Sequence, residues 1–316
     1  MQRLGLRTVV RVPTTAYFGP KGTFTEQAAR ALAPGADFLP MPTIPEAVGA
    51  VRSGLAELAC VPIENSVEGA VSAAMDTLAA DAPPVVALAE YLLPIRFSIL
   101  VRPGLKAADV RSIASHPHAL AQVERWIQDT MPDAARRPAS STAGAAVGVQ
   151  SGEFDAAVTA PVAASHYSLD VLATDVADER DAITRFLLLA RPERLPEATG
   201  ADRTSVIVVL SHQPGELAAV LNEFASRGIN LTRIESRPLR NRFGEYRFYL
   251  DFDGHISEPR VADALGALRR RSQRVLFLGS YPKAEGNATE VTAPHRAADY
   301  ELSGTWVAAL LRGEQP

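Results

Sequence analysis

The chain has 316 residues, 47% of them hydrophobic, and a formal net charge of −4. That length and apolar content suit two domains or three small lobes with filled cores, and exclude wholesale disorder. The scattered Lys and Arg exclude the basic stripe that nucleic-acid binding requires, and no run of 18 apolar residues offers a membrane span.

The first dozen residues hold three arginines and no apolar core of signal-peptide length, so a cytoplasmic location is expected. From residue 14 to 191, short apolar runs alternate with amphipathic segments, the pattern of an α/β domain. A strand is expected at 15–18, ended by Gly19-Pro20-Lys21-Gly22. Thr23 and Glu26 then have capping-box spacing ahead of a helix, and Thr43 and Glu46 repeat the device with Pro45 in the first turn. The apolar run 58–63 reads as a strand. It contains Cys60, the only cysteine, which excludes an internal disulfide and is expected to pack as a small hydrophobe. The strand runs into Glu64-Asn65-Ser66, and a helix through Val71, Met75 and Leu78 follows.

Further strands are expected at 97–101 and 112–115, then one helix carrying Leu120, Val123 and Ile127, then strands at 156–159 and 184–189. A chain that leaves one lobe, builds a second and returns predicts lobe A at 14–92 and 175–191, with lobe B at 93–174. Clefts between such lobes are favoured ligand sites. The polar stretch 192–202 separates a second domain at 203–282, whose order βαββαβ is ferredoxin-like. A sheet that small has a bare face, expected to be covered by a partner subunit. The run Arg269-Arg270-Arg271 reads as a solvated helix end. In the tail, 283–316, a helix around 300–311 is expected to dock through Trp306.

Neither a Gly-x-Gly-x-x-Gly nor a Walker loop occurs, and His116-x-His118 lacks a third ligand at metal spacing, so no metal site is expected. Four polar clusters remain at strand ends, where α/β folds place their ligands. They are Gly22-Thr23-Phe24, Glu64-Asn65-Ser66, Ser115-His116-Pro117 with Gln122, and Thr184-Arg185-Phe186. Singly, Thr23 and Ser115 read as helix caps, Asn65 as a turn residue and Arg185 as a surface charge. Together they supply amide and hydroxyl donors with one guanidinium, a set suited to holding carboxylates.

These clusters, in this order, resemble the motif series of prephenate dehydratases: Gly19 to Phe24, Ile63 to Gly69, Ser115 to Gln122 and Thr184 to Phe186. Downstream, the segment Ile229 to Pro238 is similar to the phenylalanine-binding segment of that family's ACT domain. The resemblance implies an α/β, two-lobed catalytic domain like type II periplasmic binding proteins, joined to the ferredoxin-like ACT domain. It implies conversion of prephenate to phenylpyruvate, with loss of carbon dioxide and water, in phenylalanine biosynthesis. Carried over by motif, Thr184, Glu64 and Asn65 would be catalytic. Thr23, Asn65, Ser66, Ser115, Gln122, Arg185 and Phe186 would bind substrate. Phenylalanine would act allosterically through Gly215, Leu217, Asn230, Leu231, Thr232, Glu235, Ser236 and Arg237, between paired copies in a homodimer or homotetramer. In place of the family's Gly-Ala-Leu stands Gly215-Glu216-Leu217, which puts a carboxylate beside the effector pocket.

Aromatisation of the prephenate ring drives the reaction, so neither metal nor organic cofactor is expected. The difficult item is the leaving hydroxide, which needs a proton or a strengthening hydrogen bond. Thr184 is the favoured donor and Glu64 the competing one, should burial keep it protonated. Two other readings stay open: an arogenate dehydratase, whose substrate has an amino group in place of the side-chain keto oxygen, and a non-catalytic cytosolic amino-acid sensor.

Overall fold

In the computed structural model, which describes residues 12–179, 181–193, 195–239 and 242–315, the first apolar run forms β1 (Thr14–Phe18). The arginine-bearing residues 1–11 lie outside the described set. Thr23 caps α1 (Phe24–Leu32), its Oγ1 accepting from the Glu26 N–H at 3.2 Å. The Glu26 carboxylate is fully buried and reaches one residue further back than a regular capping box, accepting from the Gly22 N–H at 2.6 Å. β2 (Asp37–Met41) leads to α2 (Ile44–Ser53), which Thr43 caps and Gly54 closes at φ 79°. β3 (Leu58–Asn65), β4 (Gly69–Ala70) and α3 (Ser72–Leu78) follow, then β5 (Val86–Pro94). Cys60 is fully buried in β3, and burial pushes its thiol well above the ordinary range, leaving a packing group and no nucleophile.

The second lobe starts with β6 (Ser98–Val101), β7 (Ser112–Ser115) and α4 (Pro117–Ala121). It continues through α5 (Glu124–Thr130), β8 (Ala135–Pro138), α6 (Thr142–Ser151), β9 (Ala156–Thr159), α7 (Ala163–Tyr167) and β10 (Asp170–Ala173). The chain returns through β11 (Ile183–Ala190). The single helix expected across 120–127 is two. The Gln122 carbonyl accepts from the Asp178 N–H at 2.7 Å, which diverts it from the helical ladder, while Leu120, Val123 and Ile127 all stay in the core. β2, β8 and β10 were not legible as strands, because each lies at a sheet edge and exposes part of its length.

Two sheets result, in the orders β2-β1-β3-β11-β5 (with β4 beside β3) and β10-β6-β9-β7-β8. β1 runs parallel to β2 and β3, while the returning β11 is antiparallel to β3. One apolar cluster joins the lobes, running from Tyr17 and Cys60 through Phe97 and Ile99 to Ile127.

The chain divides into two units, and the second takes Leu78–Glu90 together with the residues from Pro192 onward. β12 (Asp202–Val209), α8 (Glu216–Ala225), β13 (Leu231–Leu239), β14 (Arg242–Asp253), α9 (Pro259–Arg271) and β15 (Arg274–Pro282) form the expected βαββαβ unit. The antiparallel order β13-β14-β12-β15 is that of a ferredoxin-like sheet. Both helices pack on one face, where Val206, Val208 and Phe252 meet Val220, Phe224, Val261 and Leu268. The segment Leu78–Glu90 packs against β12 and β15. A Cβ on Gly279 would stand 2.5 Å from the Ala87 carbonyl oxygen, so only glycine admits this approach. Beside it the Arg203 guanidinium reaches both Glu90 oxygens at 2.7 and 2.8 Å, and the Ala284 N–H adds a third bond at 3.0 Å.

The tail forms α10 (Ala297–Leu311), but of this helix only Ala309 is buried. The helix lies against α9, but Trp306 is 53% exposed and contributes little to that contact. Among the described residues, no helix is long and apolar enough to cross a membrane.

Candidate active site

A cavity of about 680 Å³ lies in the first unit, a volume within the range of small-molecule sites. Thr184 and Phe186 of β11, Asn65 of β3, Thr23 of the α1 cap and Gln122 after α4 are on its wall. The sequence singled out all five. Two helix N-termini also open into it: α1 through Thr23 and Phe24, and α6 through Ser141, Thr142 and Gly144. Unpaired N–H groups and a dipole worth roughly half a positive charge make such ends receptive to carboxylates.

The polar centre is a short relay. Asn65 Nδ2 donates to Thr184 Oγ1 at 2.8 Å, while Asn65 Oδ1 accepts from the Val67 and Glu68 N–H groups at 2.8 and 3.0 Å. Two backbone donors on one oxygen fix which way the amide points, so its NH₂ must face Thr184. The hydroxyl proton of Thr184 is then left to be donated elsewhere. Ser66 ties the same turn to β11, exchanging bonds with Ile183 at 2.9 and 3.0 Å.

Other expected site residues face away from the cavity. Ser115 is fully buried and its Oγ donates to the Val158 carbonyl at 2.6 Å, which binds β7 to β9. Arg185 lies between Thr184 and Phe186 in an extended strand, so it points to the opposite face and sits in register with Glu64. Neither Arg185, Glu64, Ser66 nor Ser115 is on the wall.

Two wall features were not singled out, the Ser140-Ser141-Thr142 entry to α6 and Glu68, while His116, from the third polar cluster, and His118 also line the cavity. The cluster of hydroxyl residues ahead of an Ala-rich run was a cap signal for α6. Nothing in the sequence brings Glu68 to His118. Among the described residues, no cluster of three or more His, Cys, Asp or Glu is arranged to hold a metal ion.

On one side of the cleft the lobes touch at Gly22, where φ is +85° and an added Cβ would stand 2.9 Å from the Tyr167 ring. Tyr167 also donates its hydroxyl to the Lys21 carbonyl at 2.5 Å. Gly22→Ala is expected to cost about 1–3 kcal/mol of stability and to raise KM by spreading the lobes. Denaturant titration and steady-state kinetics on one preparation measure both.

In the second unit, the expected effector residues do not converge within one chain. Gly215, at φ 84°, starts α8, and Leu217 lines a small cavity of about 130 Å³ with His212, Glu216, Tyr246 and Phe248. Pro238 and Arg237 stand opposite Tyr246 and Arg247, at this end of the sheet, while Leu231 stands opposite Phe252 at the other. Seven residues of strand span roughly 20 Å. At that far end Asn230 Nδ2 donates to Asp253 Oδ2 at 3.0 Å, and Thr232 Oγ1 to the Asp251 carbonyl at 3.0 Å. Strand alternation further puts Glu235 and Arg237 on one face and Ser236 on the other.

The prephenate dehydratase family model matches residues 15–194, and the ACT domain model matches 204–270. A prephenate dehydratase of Amycolatopsis methanolica is 57% identical over 95% of this chain and 98% of its own length. The chain belongs to the prephenate dehydratase family. Among solved structures, a prephenate dehydratase of Arthrobacter aurescens in complex with L-Phe is 43% identical with a TM-score of 0.89, covering 95% of this chain and 99% of that one. A structure described as GqqA, a novel type of quorum-quenching acylase, is 33% identical with a TM-score of 0.79, covering 85% and 98%. In this prephenate dehydratase family member, the threonine hydroxyl that Asn65 engages lies on the cavity wall.

Proposed function

We propose that this prephenate dehydratase binds prephenate in the first-unit cavity and converts it to phenylpyruvate there, with Thr184 as the group nearest the leaving hydroxyl. The observation that carries this reading is the Asn65–Thr184 bond at 2.8 Å on the wall of a cavity large enough for a ring with two carboxylates. Asn65 donates to the threonine oxygen, so Thr184 can donate its own proton toward the C4 hydroxyl as negative charge develops on that oxygen. The N-termini of α1 and α6 are the carboxylate sites, with Thr23 and Ser141 at their mouths. As one carboxylate leaves as carbon dioxide and the hydroxyl departs as water, with one proton taken up from solvent, the ring becomes aromatic, and no cofactor enters the balance. The roles of Ser66, Ser115, Glu64 and Arg185 are then to hold these walls from behind.

Asn65→Asp tests the relay at almost constant volume. A carboxylate cannot donate to Thr184 Oγ1; it would instead accept the threonine's hydrogen bond, turning the hydroxyl away from the substrate, and would also repel the substrate. kcat/KM is expected to fall by roughly 10²–10³-fold, the scale of one lost transition-state hydrogen bond plus a like charge. Steady-state assay of the folded variant measures it, and near wild-type turnover would remove the relay from the mechanism.

The ACT domain is read as the site of an amino-acid effector, L-phenylalanine being supported by the ligand of the Arthrobacter aurescens relative. Leu217 lies with Tyr246 and Asn230 with Asp253, at opposite ends of the sheet, which supports a site completed by a second copy, one chain giving the loop before α8 and the other the start of β13. Allosteric coupling would be worth about 1–3 kcal/mol, or 5–150-fold in affinity.

Arogenate is the second substrate to weigh, because Glu68 puts a carboxylate on the cavity wall where an ammonium could be met. The deciding assay is phenylpyruvate formation from prephenate and phenylalanine formation from arogenate, with EDTA present and phenylalanine absent or added. Turnover of prephenate that survives EDTA and falls with phenylalanine supports the whole reading. Turnover of arogenate alone would replace the substrate, and turnover of neither by folded protein would overturn the lyase assignment.

A further inference from the structure

The cavity poses a charge problem. Its ligand is a dianion, yet the ionisable groups among its described lining residues are Glu68, His116 and His118, with no Lys or Arg. A carboxylate facing two carboxylates at close range is repulsive unless compensated. Glu68 follows the turn after β3, and its side chain spans the cleft to the opposite lobe. There His118 Nδ1 stands 2.9 Å from Glu68 Oε2, and Gln122 Nε2 donates to Glu68 Oε1 at 3.0 Å. The titratable groups facing His118 are Glu68 from the other lobe and His116 beside it, its ring 5.0 Å away.

We propose that the Glu68–His118 pair sets the electrostatics of the cavity and thereby the choice of substrate: His118, held against Glu68, offsets it and admits the dianionic keto acid, while Glu68 unopposed favours the amino counterpart. This rests on the cavity being the lyase site. His118 is a specificity-determining group, distinct from Thr184, which acts on the leaving hydroxyl. The pair also explains why Gln122 points at Glu68. With both carboxylate oxygens engaged, Glu68 is held at the wall and away from the incoming ligand.

The test compares prephenate and arogenate in wild type, His118→Gln, His118→Lys and Glu68→Gln. Both side chains are well exposed, at 65% and 41%, so the variants should fold, and a thermal midpoint checks this. His118→Gln keeps a hydrogen bond to Glu68 but can carry no positive charge. It is expected to raise KM for prephenate about tenfold with kcat little changed, the sign of lost uniform binding, and to spare arogenate. His118→Lys places a cation beside Glu68 and should bring the prephenate KM back toward wild type. Glu68→Gln should lower KM for prephenate and raise it for arogenate. Parallel changes on both substrates, or rescue by Gln and not by Lys, would make the pair a mere latch between lobes and overturn the proposal. A wild type that turns over neither substrate would defeat the lyase assignment itself, a result the variants cannot mimic.

Discussion

Thr184→Ala is expected to lower kcat by about 10²–10³-fold while leaving KM within a few-fold, because the interaction removed is made chiefly in the transition state. In the ground state the threonine oxygen is already occupied, accepting from Asn65 Nδ2 at 2.8 Å, and its contribution to holding substrate is small. What the variant loses is the O–H aimed at the departing oxygen. Thr184→Ser keeps that hydroxyl and should retain much of the rate, losing only the methyl that limits its rotation. Glu64, the competing proton donor, stands in register with Arg185 and off the cavity wall, so Glu64→Gln should change kcat far less than Thr184→Ala. Single-turnover kinetics on the three variants separate chemistry from product release. An unchanged kcat in Thr184→Ala would remove the hydroxyl from the mechanism.

Glu90→Ala is expected to destabilise the second unit by about 3–5 kcal/mol, the range for removing one partner of a buried ion pair. The Glu90 side chain is fully inaccessible, and it accepts both bonds of Arg203 at 2.7 and 2.8 Å together with the Ala284 N–H. Truncation removes the acceptor of both guanidinium bonds and of a backbone N–H, and leaves Arg203 with the more distant Glu285 at 3.7 Å. Replacing both members, as Glu90→Leu with Arg203→Met, removes charge and countercharge together and should recover a large part of the loss. Urea titrations of wild type, single and double variants give the comparison. A loss under 1 kcal/mol in Glu90→Ala would mean that the ion pair does not hold Leu78–Glu90 on this sheet.

Local chemistry made much of the fold legible. The caps at Thr23 and Thr43 form as their spacing predicts, because a hydroxyl three residues ahead of an N–H satisfies that donor whatever surrounds it. The βαββαβ order was equally plain, since each element there has a clean period of two or 3.6. The edge strands β2, β8 and β10 were less so, because a half-exposed strand needs no apolar alternation. The helix break at Gln122 was invisible, its cause being the Asp178 N–H, distant in sequence.

By itself the sequence determined the family motifs, the α/β lobes, the ferredoxin-like unit and the identities of Thr184, Asn65, Thr23 and Gln122 as site residues to test. Those depend on residue type and short spacing, which local sterics and hydrogen bonding translate directly into structure. Only the tertiary structure decided which members of each motif face the cavity. Thr184 and Phe186 do and Arg185 does not, since alternation along β11 sends neighbours to opposite faces. It also decided that Leu78–Glu90 belongs with the second unit and that Glu68 meets His118 across the cleft. Both are pairings between segments far apart in the chain. Their partners are chosen by packing after the chain has folded, and no local pattern encodes that choice.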